Sequence, residues 1–285
     1  VKADVTGWSP FVPGDADISC LPVAGLEYTF KNTQDTPVDG VFYFCSANFL
    51  RADDSARVLP IENGFILDQP EAETDFHVRA ALCVQTDCAA HVDTAWFRGR
   101  FCDSYSILWN TLREGAVLDQ ACINEKSVYD KFSPVEGGTL AVPMTLKAGE
   151  ARTVTVRLSW FAPNSDMAAG NFAKEASRPE DFYQPWYASR FEDIDAVRSY
   201  WTENYGALRV RTKAFSDCFY DTDLPEELIE AVAANLCILK SPTVLRQKDG
   251  RLWGWEGLRD DAGSCYGSCT HVWNYAMSIC SLFPG

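Results

Sequence analysis

Hydrophobic and polar residues alternate along several stretches of the first 160 residues, as in strands that bury one face. The clearest case is 152–160, where the other face is expected to be solvated and the apolar face collects Val154, Val156, Leu158 and Trp160. A similar alternation over 26–30, turn residues in 32–37 and an apolar run in 41–45 predict an antiparallel hairpin. Because a sheet with one apolar face needs a second layer to cover it, the pattern predicts an antiparallel β-sandwich.

The period changes to that of a helix after residue 190. Ile194, Val197 and Trp201 recur at helical spacing and predict a connector helix near 191–205. A shorter helix over 106–112 is predicted to interrupt the strand-rich part. These patterns predict that 1–220 form a first domain and that a second domain starts at residue 221.

The second domain is predicted to open with a helix over 224–240. Asp223 and Glu226 stand three residues apart, as in a capping box, and Pro225 between them suits a first helical turn. The dipeptide at 241–242 is Ser-Pro, which ends a helix because the residue before a proline avoids helical angles.

A hairpin and a final helix are predicted next. Asp249 and Gly250 lie between the apolar runs 243–245 and 252–253, and an Asp-Gly pair in that position is a strong hairpin signal. The last helix is predicted from about Thr270. Two helices and one hairpin cannot enclose a core of their own, so we expect further helices beyond residue 285.

Composition narrows the functional classes. The formal net charge of −15 disfavours a nucleic-acid partner, because phosphate binding depends on clustered Lys and Arg. No apolar run is long enough for a transmembrane segment and no signal peptide is visible, so the sequence predicts a cytoplasmic chain that begins and ends within a longer protein. Eleven cysteines at irregular spacing suggest reduced, buried thiols better than a disulfide framework.

Residues 252–257, Leu-Trp-Gly-Trp-Glu-Gly, concentrate groups that suit sugar chemistry. Trp253 and Trp255 could stack on a pyranose ring or fill a gap in the core, and the sequence leaves both roles open. Glu256 is the candidate nucleophile, with a solvated loop carboxylate as its structural alternative. Thr270 and His271 follow as candidate substrate-binding residues. The alternative for His271 is a helix-start histidine bonded to the backbone, and for Thr270 it is a helix cap, which its residue type favours.

These motifs resemble glycoside hydrolase family 116, the group of bile-acid β-glucosidases and non-lysosomal glucosylceramidases. The resemblance rests on the Trp-Glu-Gly tripeptide at 255–257, the segment 269–275, which looks like the bacterial branch, and the motifs at 7–15, 94–99 and 108–110. It implies a fold that is mainly β, an N-terminal sandwich followed by the first helices of an (α/α)6 barrel. It also implies that Glu256 is the nucleophile of a retaining β-glycosidase acting on β-glucosides or a glycolipid.

The same resemblance implies no cofactor and places the acid/base, an Asp, well downstream of the nucleophile, in the remainder of the helical domain. Asp260 and Asp261 are near Glu256, but adjacent loop carboxylates usually form a hydrated surface cluster. We therefore expect this chain alone to be inactive. Cys265, Cys269 and His271 do not make a structural zinc site, because a second ligand pair is missing from the sequence.

A second function remains open. The sandwich could be a carbohydrate-binding or domain-packing module, with the helical residues serving only as an interface. That function predicts a large exposed apolar patch where a partner domain would bind.

Overall fold

A computed structural model describes residues 1–72, 75–96, 103–121, 136–168, 182–257 and 275–284. In chain order its strands and α-helices are β1 (Lys2–Trp8), α1 (Ala16–Ser19), β2 (Val23–Lys31), β3 (Val38–Ala47), β4 (Arg57–Ile61), β5 (Gly64–Gln69), β6 (Ala80–Thr86), β7 (His91–Asp93), α2 (Ser104–Leu112), β8 (Gly137–Leu146), β9 (Ala151–Phe161), α3 (Ile194–Tyr220), α4 (Glu226–Ile238), β10 (Val244–Arg246), β11 (Leu252–Gly254) and α5 (Ala276–Leu282). The chain is mainly β, as the sequence predicts. Every helix among the described residues is too short or too polar to span a bilayer.

Two antiparallel sheets make up most of the β structure. The larger sheet has the strand order β1-β2-β9-β6-β5-β4, and the smaller one has the order β3-β8-β7. Strands of both sheets contribute to one apolar core, in which Phe65 and Leu67 of β5 meet Leu140 and Val142 of β8. All four side chains are buried, so the two sheets pack face to face over this core.

The predicted hairpin between 26–30 and 41–45 is wrong. β2 pairs with β1 and β9 in the larger sheet, whereas β3 pairs with β8 in the smaller one. The connection crosses between the sheets beside Asn32, which is fully buried and donates from Nδ2 to the carbonyl oxygens of Thr36, Leu146 and Lys147 at 2.8 to 3.1 Å. Leu146 and Lys147 lie where the chain leaves β8 for β9. Asn32 therefore connects the β2–β3 and β8–β9 segments, both of which pass between the two sheets.

Strand β9 forms as predicted, but its burial does not alternate as predicted, because Leu158 and Trp160 of the predicted buried face are only half-buried. Val154 and Val156 are fully buried, while Thr155 and Ser159 on the opposite face are only 8% and 1% exposed. β9 lies inside the larger sheet with β2 and β6 on its two sides, so it is shielded more than an edge strand would be.

Two adjacent glycines at the start of β8 permit the close approach of two aromatic rings. A Cβ on Gly137 would overlap the Trp96 ring, and a Cβ on Gly138 would overlap the Phe65 ring. The Trp96 indole N–H also donates a 2.8 Å hydrogen bond to Oγ1 of Thr139, the next residue of β8. The glycine pair is therefore required by packing and not by an unusual backbone angle.

Helix α3 is longer than the predicted connector near 191–205. Asp193 caps its start by accepting a hydrogen bond from the Ala196 N–H, and the helix continues past Gly206 to Tyr220. A glycine inside a helix costs about 1 kcal/mol, but Leu208 just beyond it is buried and offsets that cost.

Helix α4 begins as predicted, but without the predicted capping box. Pro225 occupies the cap position and no side chain caps the helix. The apolar positions at the start of the helix are exposed, at 54% for Leu228 and 48% for Val232.

Contacts divide the chain into two compact units. The first comprises 1–8, 23–161 and 197–201, and the second comprises 9–22, 162–196 and 202–285. In the first unit the Trp201 ring of α3 lies 5.2 Å from the Trp8 ring of β1. Because 9–22 and 162–196 group with the helical residues, the domain boundary at 221 stays a prediction.

Candidate functional site

The hairpin that precedes Glu256 forms as predicted. Val244 pairs with Gly254 and Arg246 pairs with Leu252 in antiparallel register. Gly250 has a φ of 91°, a left-handed conformation that glycine adopts without strain. The Asp249 carboxylate accepts a 3.0 Å hydrogen bond from the Arg251 N–H, which completes the turn.

Trp255 fixes the backbone at the end of this hairpin. Its N–H donates a 3.0 Å hydrogen bond to the Thr243 carbonyl oxygen, which extends the strand pairing by one step. Its own carbonyl oxygen accepts a 2.7 Å hydrogen bond from the Tyr275 hydroxyl, and its side chain is only 3% exposed. The backbone that leads into Glu256 is therefore fixed, because both the N–H and the carbonyl oxygen of Trp255 are hydrogen-bonded.

The Glu256 side chain is exposed among the described residues. Next to it, a Cβ placed on Gly257 would meet no atom of the described structure within 4 Å. Within the described structure, the Cβ side of position 257 is therefore open. Its exposure distinguishes Glu256 from a carboxylate buried inside the sandwich, which no sugar could reach.

Of the two tryptophans, Trp253 is the more exposed, since Trp255 is buried. It is half-buried, with the Trp255 ring 6.1 Å away in an edge-to-face arrangement and the Tyr183 ring 6.1 Å away on a tilted plane. The Tyr183 hydroxyl donates to the Arg246 carbonyl oxygen at 3.3 Å, and burial raises the pKa of Tyr183 above its ordinary range. Tyr183 thus stays a neutral hydrogen-bond donor that connects the Trp253 ring to β10.

Several predicted residues lie outside the described part of the chain. These are Asp260, Asp261, Cys265, Cys269, Thr270 and His271. The structure therefore brings together Trp253, Trp255 and Glu256, and the contacts of Thr270 and His271 stay predictions. In the described ranges, His, Cys, Asp and Glu side chains nowhere form a group of three that could hold a metal ion.

Two tyrosines support the candidate site without having been assigned to it from the sequence. Tyr275 falls within the predicted last helix, but neither Tyr275 nor Tyr183 is a candidate site residue in the sequence. Both contacts join residues at least 20 positions apart, and the hydroxyl acceptors are backbone carbonyl oxygens. The sequence offers only the weak signal that a buried tyrosine hydroxyl usually finds a partner.

Two comparisons with known proteins bear on this arrangement. A search among curated proteins finds no significant match. Residues 1–208 match the sequence profile of a family described as "beta-glucosidase 2, glycosyl-hydrolase family 116 N-term". The matched region covers both sheets and most of the chain, and we conclude that the protein belongs to glycoside hydrolase family 116.

Proposed function

We propose that this chain is part of a retaining β-glycosidase in which Glu256 is the nucleophile. The substrate class is a β-glucoside or a glucosylceramide-like glycolipid, following the activities of the family. The proposal rests on the two backbone hydrogen bonds of Trp255. They fix the end of the hairpin, where the exposed Glu256 carboxylate follows.

The proposed reaction has two steps. A Glu256 carboxylate oxygen attacks the anomeric carbon while an acid, about 5 Å away, protonates the leaving glycosidic oxygen. The bond to the aglycone breaks and a glycosyl ester forms on Glu256. The acid, now a base, then deprotonates a water molecule that attacks the same carbon and releases glucose with retained configuration. In this proposal the acid/base is an Asp of a helical (α/α)6 domain, C-terminal to Glu256.

A nucleophile must be held in place, because a displacement of about 1 Å can cost about 100-fold in rate. Trp255 meets this need through its backbone and its buried ring. We therefore assign Trp255 to positioning, and its direct contact with a sugar stays a prediction. Trp253 offers the exposed ring surface on which a pyranose can stack, and Thr270 and His271 are proposed to contact the sugar hydroxyls.

The test is covalent trapping in the full-length protein that contains this chain. A 2-deoxy-2-fluoro β-glucoside with a good leaving group slows the second step and leaves the sugar on the nucleophile. We expect peptide mapping by mass spectrometry to find the label on Glu256. The Glu256→Gln variant should take up no label, while Glu230→Gln, which changes an exposed carboxylate of α4, should be labelled as before. A label on any other residue would overturn the assignment.

A non-catalytic module is the second candidate function, and one observation favours it. Leu228 and Val232 of α4 are exposed, as expected for a surface that packs against another domain. This function predicts that the full-length protein binds glucosides without forming a covalent intermediate. Stoichiometric labelling in the trapping experiment would exclude it, whereas saturable binding without any label would favour it.

A further inference from the structure

The second compact unit contains a cavity of about 220 Å³. Most of its wall is apolar and comes from Phe11, Leu239, Val244, Leu252, Ile279 and Phe283. An apolar cavity of about 150 Å³ is enough to bind benzene. The volume therefore suits one small organic molecule.

A single ammonium group marks the polar side of this cavity. Lys240 lines it and donates from Nζ to the carbonyl oxygens of Ser19 at 2.6 Å and Pro10 at 3.1 Å. An ammonium group has three N–H donors, so these bonds leave one donor for another acceptor. Among the described residues, no carboxylate lies within ion-pair distance of Lys240.

The other charged groups at the cavity compensate one another. Arg246 forms a 2.7 Å ion pair with Asp17, and its guanidinium lies 4.4 Å from the centre of the Trp186 ring. Cys20 is uncharged near neutral pH, because burial raises the pKa of its thiol. Lys240 therefore carries the uncompensated charge of the cavity in the described structure.

The surroundings of Lys240 act on its charge in two directions. The side chain keeps exposed surface, but the protein atoms around the nitrogen desolvate the ammonium form and lower the pKa of Lys240 to about 8. The two carbonyl oxygens oppose this shift because they stabilise the charged form. At neutral pH most molecules carry an ammonium group whose electrostatic cost an anion would relieve.

We propose that this cavity is a binding site for a small monocarboxylate with an apolar body, of the size of benzoate or hexanoate. The carboxylate accepts the remaining Lys240 N–H, and the apolar body replaces water along Leu239, Leu252 and Phe283. A charged partner favours the acid over the corresponding alcohol, since charge-assisted hydrogen bonds are about twice as strong as neutral ones.

The site is on one face of the hairpin only. Val244, Arg246 and Leu252 line the cavity, and successive side chains of a strand point to opposite faces. Trp253 therefore faces away from the cavity, toward Tyr183. The proposed carboxylate site is thus separate from the proposed sugar-stacking surface and does not depend on the role of Glu256.

The test is isothermal titration of the full chain with hexanoate and, separately, with the uncharged analogue 1-hexanol. We expect saturable 1:1 binding of hexanoate at pH 7 and binding of hexanol that is at least 10-fold weaker. Lys240→Met keeps the length of the side chain and removes the charge, and should weaken hexanoate binding by about 10- to 100-fold. Lys248→Met, which changes an exposed lysine of the hairpin turn, is the matched control and should bind as the unmodified protein does.

The pH dependence gives a second readout that needs no variant. Hexanoate stays ionised above about pH 5, whereas Lys240 loses its proton as the pH rises through about 8. Affinity for hexanoate should fall above pH 8, with proton uptake on binding shown by heats that depend on the buffer. Equal affinities for hexanoate and hexanol, an unchanged Kd in Lys240→Met, a Kd that does not vary between pH 7 and 9.5, or no binding at all would each overturn the proposal.

Discussion

The Tyr275 hydroxyl donates a 2.7 Å hydrogen bond to the carbonyl oxygen of Trp255, and both residues are buried. The bond joins the residue that precedes α5 to the residue that precedes Glu256. Because the Trp255 N–H is also bonded, to Thr243, the peptide groups around Trp255 have little freedom to turn. The direction in which Glu256 leaves the hairpin is therefore set partly by Tyr275.

Tyr275→Phe should lower both stability and activity. The substitution keeps the ring but leaves a buried carbonyl oxygen without its donor, which costs about 1–3 kcal/mol. Urea denaturation should show this loss, and the full-length protein should show a lower kcat on an aryl β-glucoside. Tyr220→Phe, at an exposed position of α3, is the control and should change neither value. If the two variants are equally stable, the Tyr275 hydroxyl does not anchor Trp255.

Glu256→Gln should abolish hydrolysis while leaving the fold intact. The amide has nearly the same shape as the carboxylate but cannot attack the anomeric carbon, so kcat should fall on the order of 10³-fold or more. Nitrophenol release from an aryl β-glucoside measures this, and circular dichroism checks the fold. Glu230→Gln should retain full activity. A Glu256→Gln protein that keeps a tenth of the original rate would place the nucleophile elsewhere.

Local patterns predicted the elements of the fold well, because their signals lie within a few residues. The Asp249-Gly250 turn is one example, since its geometry depends on the left-handed glycine and on the adjacent Asp249 carboxylate. The pairing of β2 and β3 was wrong for the opposite reason. Alternation shows which face of a strand is buried, but it does not show which strand lies beside it. The backbone can form the same hydrogen bonds with any neighbouring strand. The decisive residue, Asn32, bonds to carbonyl oxygens that lie more than 100 positions away.

The candidate site was predictable to a similar extent. The Asp249-Gly250 pair predicted the hairpin, which the structure confirms, whereas the sugar contacts of Trp253 and Trp255 and the role of Glu256 at its end stay predictions. The sequence could not show which tryptophan is buried. That depends on Tyr275 and Tyr183, whose hydroxyl bonds form only after distant segments pack. Exposure is thus a tertiary property, and residue type alone leaves both roles open.

Gly138→Ala and Gly40→Ala should differ sharply although both glycines lie in strands of the smaller sheet. A Cβ at position 138 would overlap the Phe65 ring in the core, and overpacking of this kind costs about 1–3 kcal/mol. A Cβ at position 40 meets nothing within 4 Å, so Gly40→Ala should be neutral or slightly stabilising. Denaturant midpoints of the two variants measure the difference. Equal midpoints would contradict the close approach of β8 to Phe65.

Asp93→Asn and Asp53→Asn should change stability with opposite dependence on pH. Burial raises the pKa of Asp93, so the folded state holds its proton more tightly than the unfolded state does. The contribution of Asp93 to the stability of the unmodified protein therefore falls as the pH rises from about 4 through the raised pKa. Asp93→Asn lacks this loss, and its stability relative to the unmodified protein should increase over that range.

The contribution of Asp53 to stability depends on pH in the opposite direction. Hydrogen bonds from Ser55 and Gln69 lower the pKa of Asp53, so its contribution to stability is present above about pH 4 and disappears as the pH falls through the lowered value. Asp53→Asn should therefore be the less stable protein at pH 7, and its deficit should shrink in acid. Urea denaturation of the three proteins between pH 2.5 and 7 gives two difference curves, which should rise with pH for Asp93→Asn and fall for Asp53→Asn. If both difference curves had slopes of the same sign, one of the two pKa shifts would have the wrong direction. Either burial would not raise the pKa of Asp93, or the hydrogen bonds from Ser55 and Gln69 would not lower the pKa of Asp53.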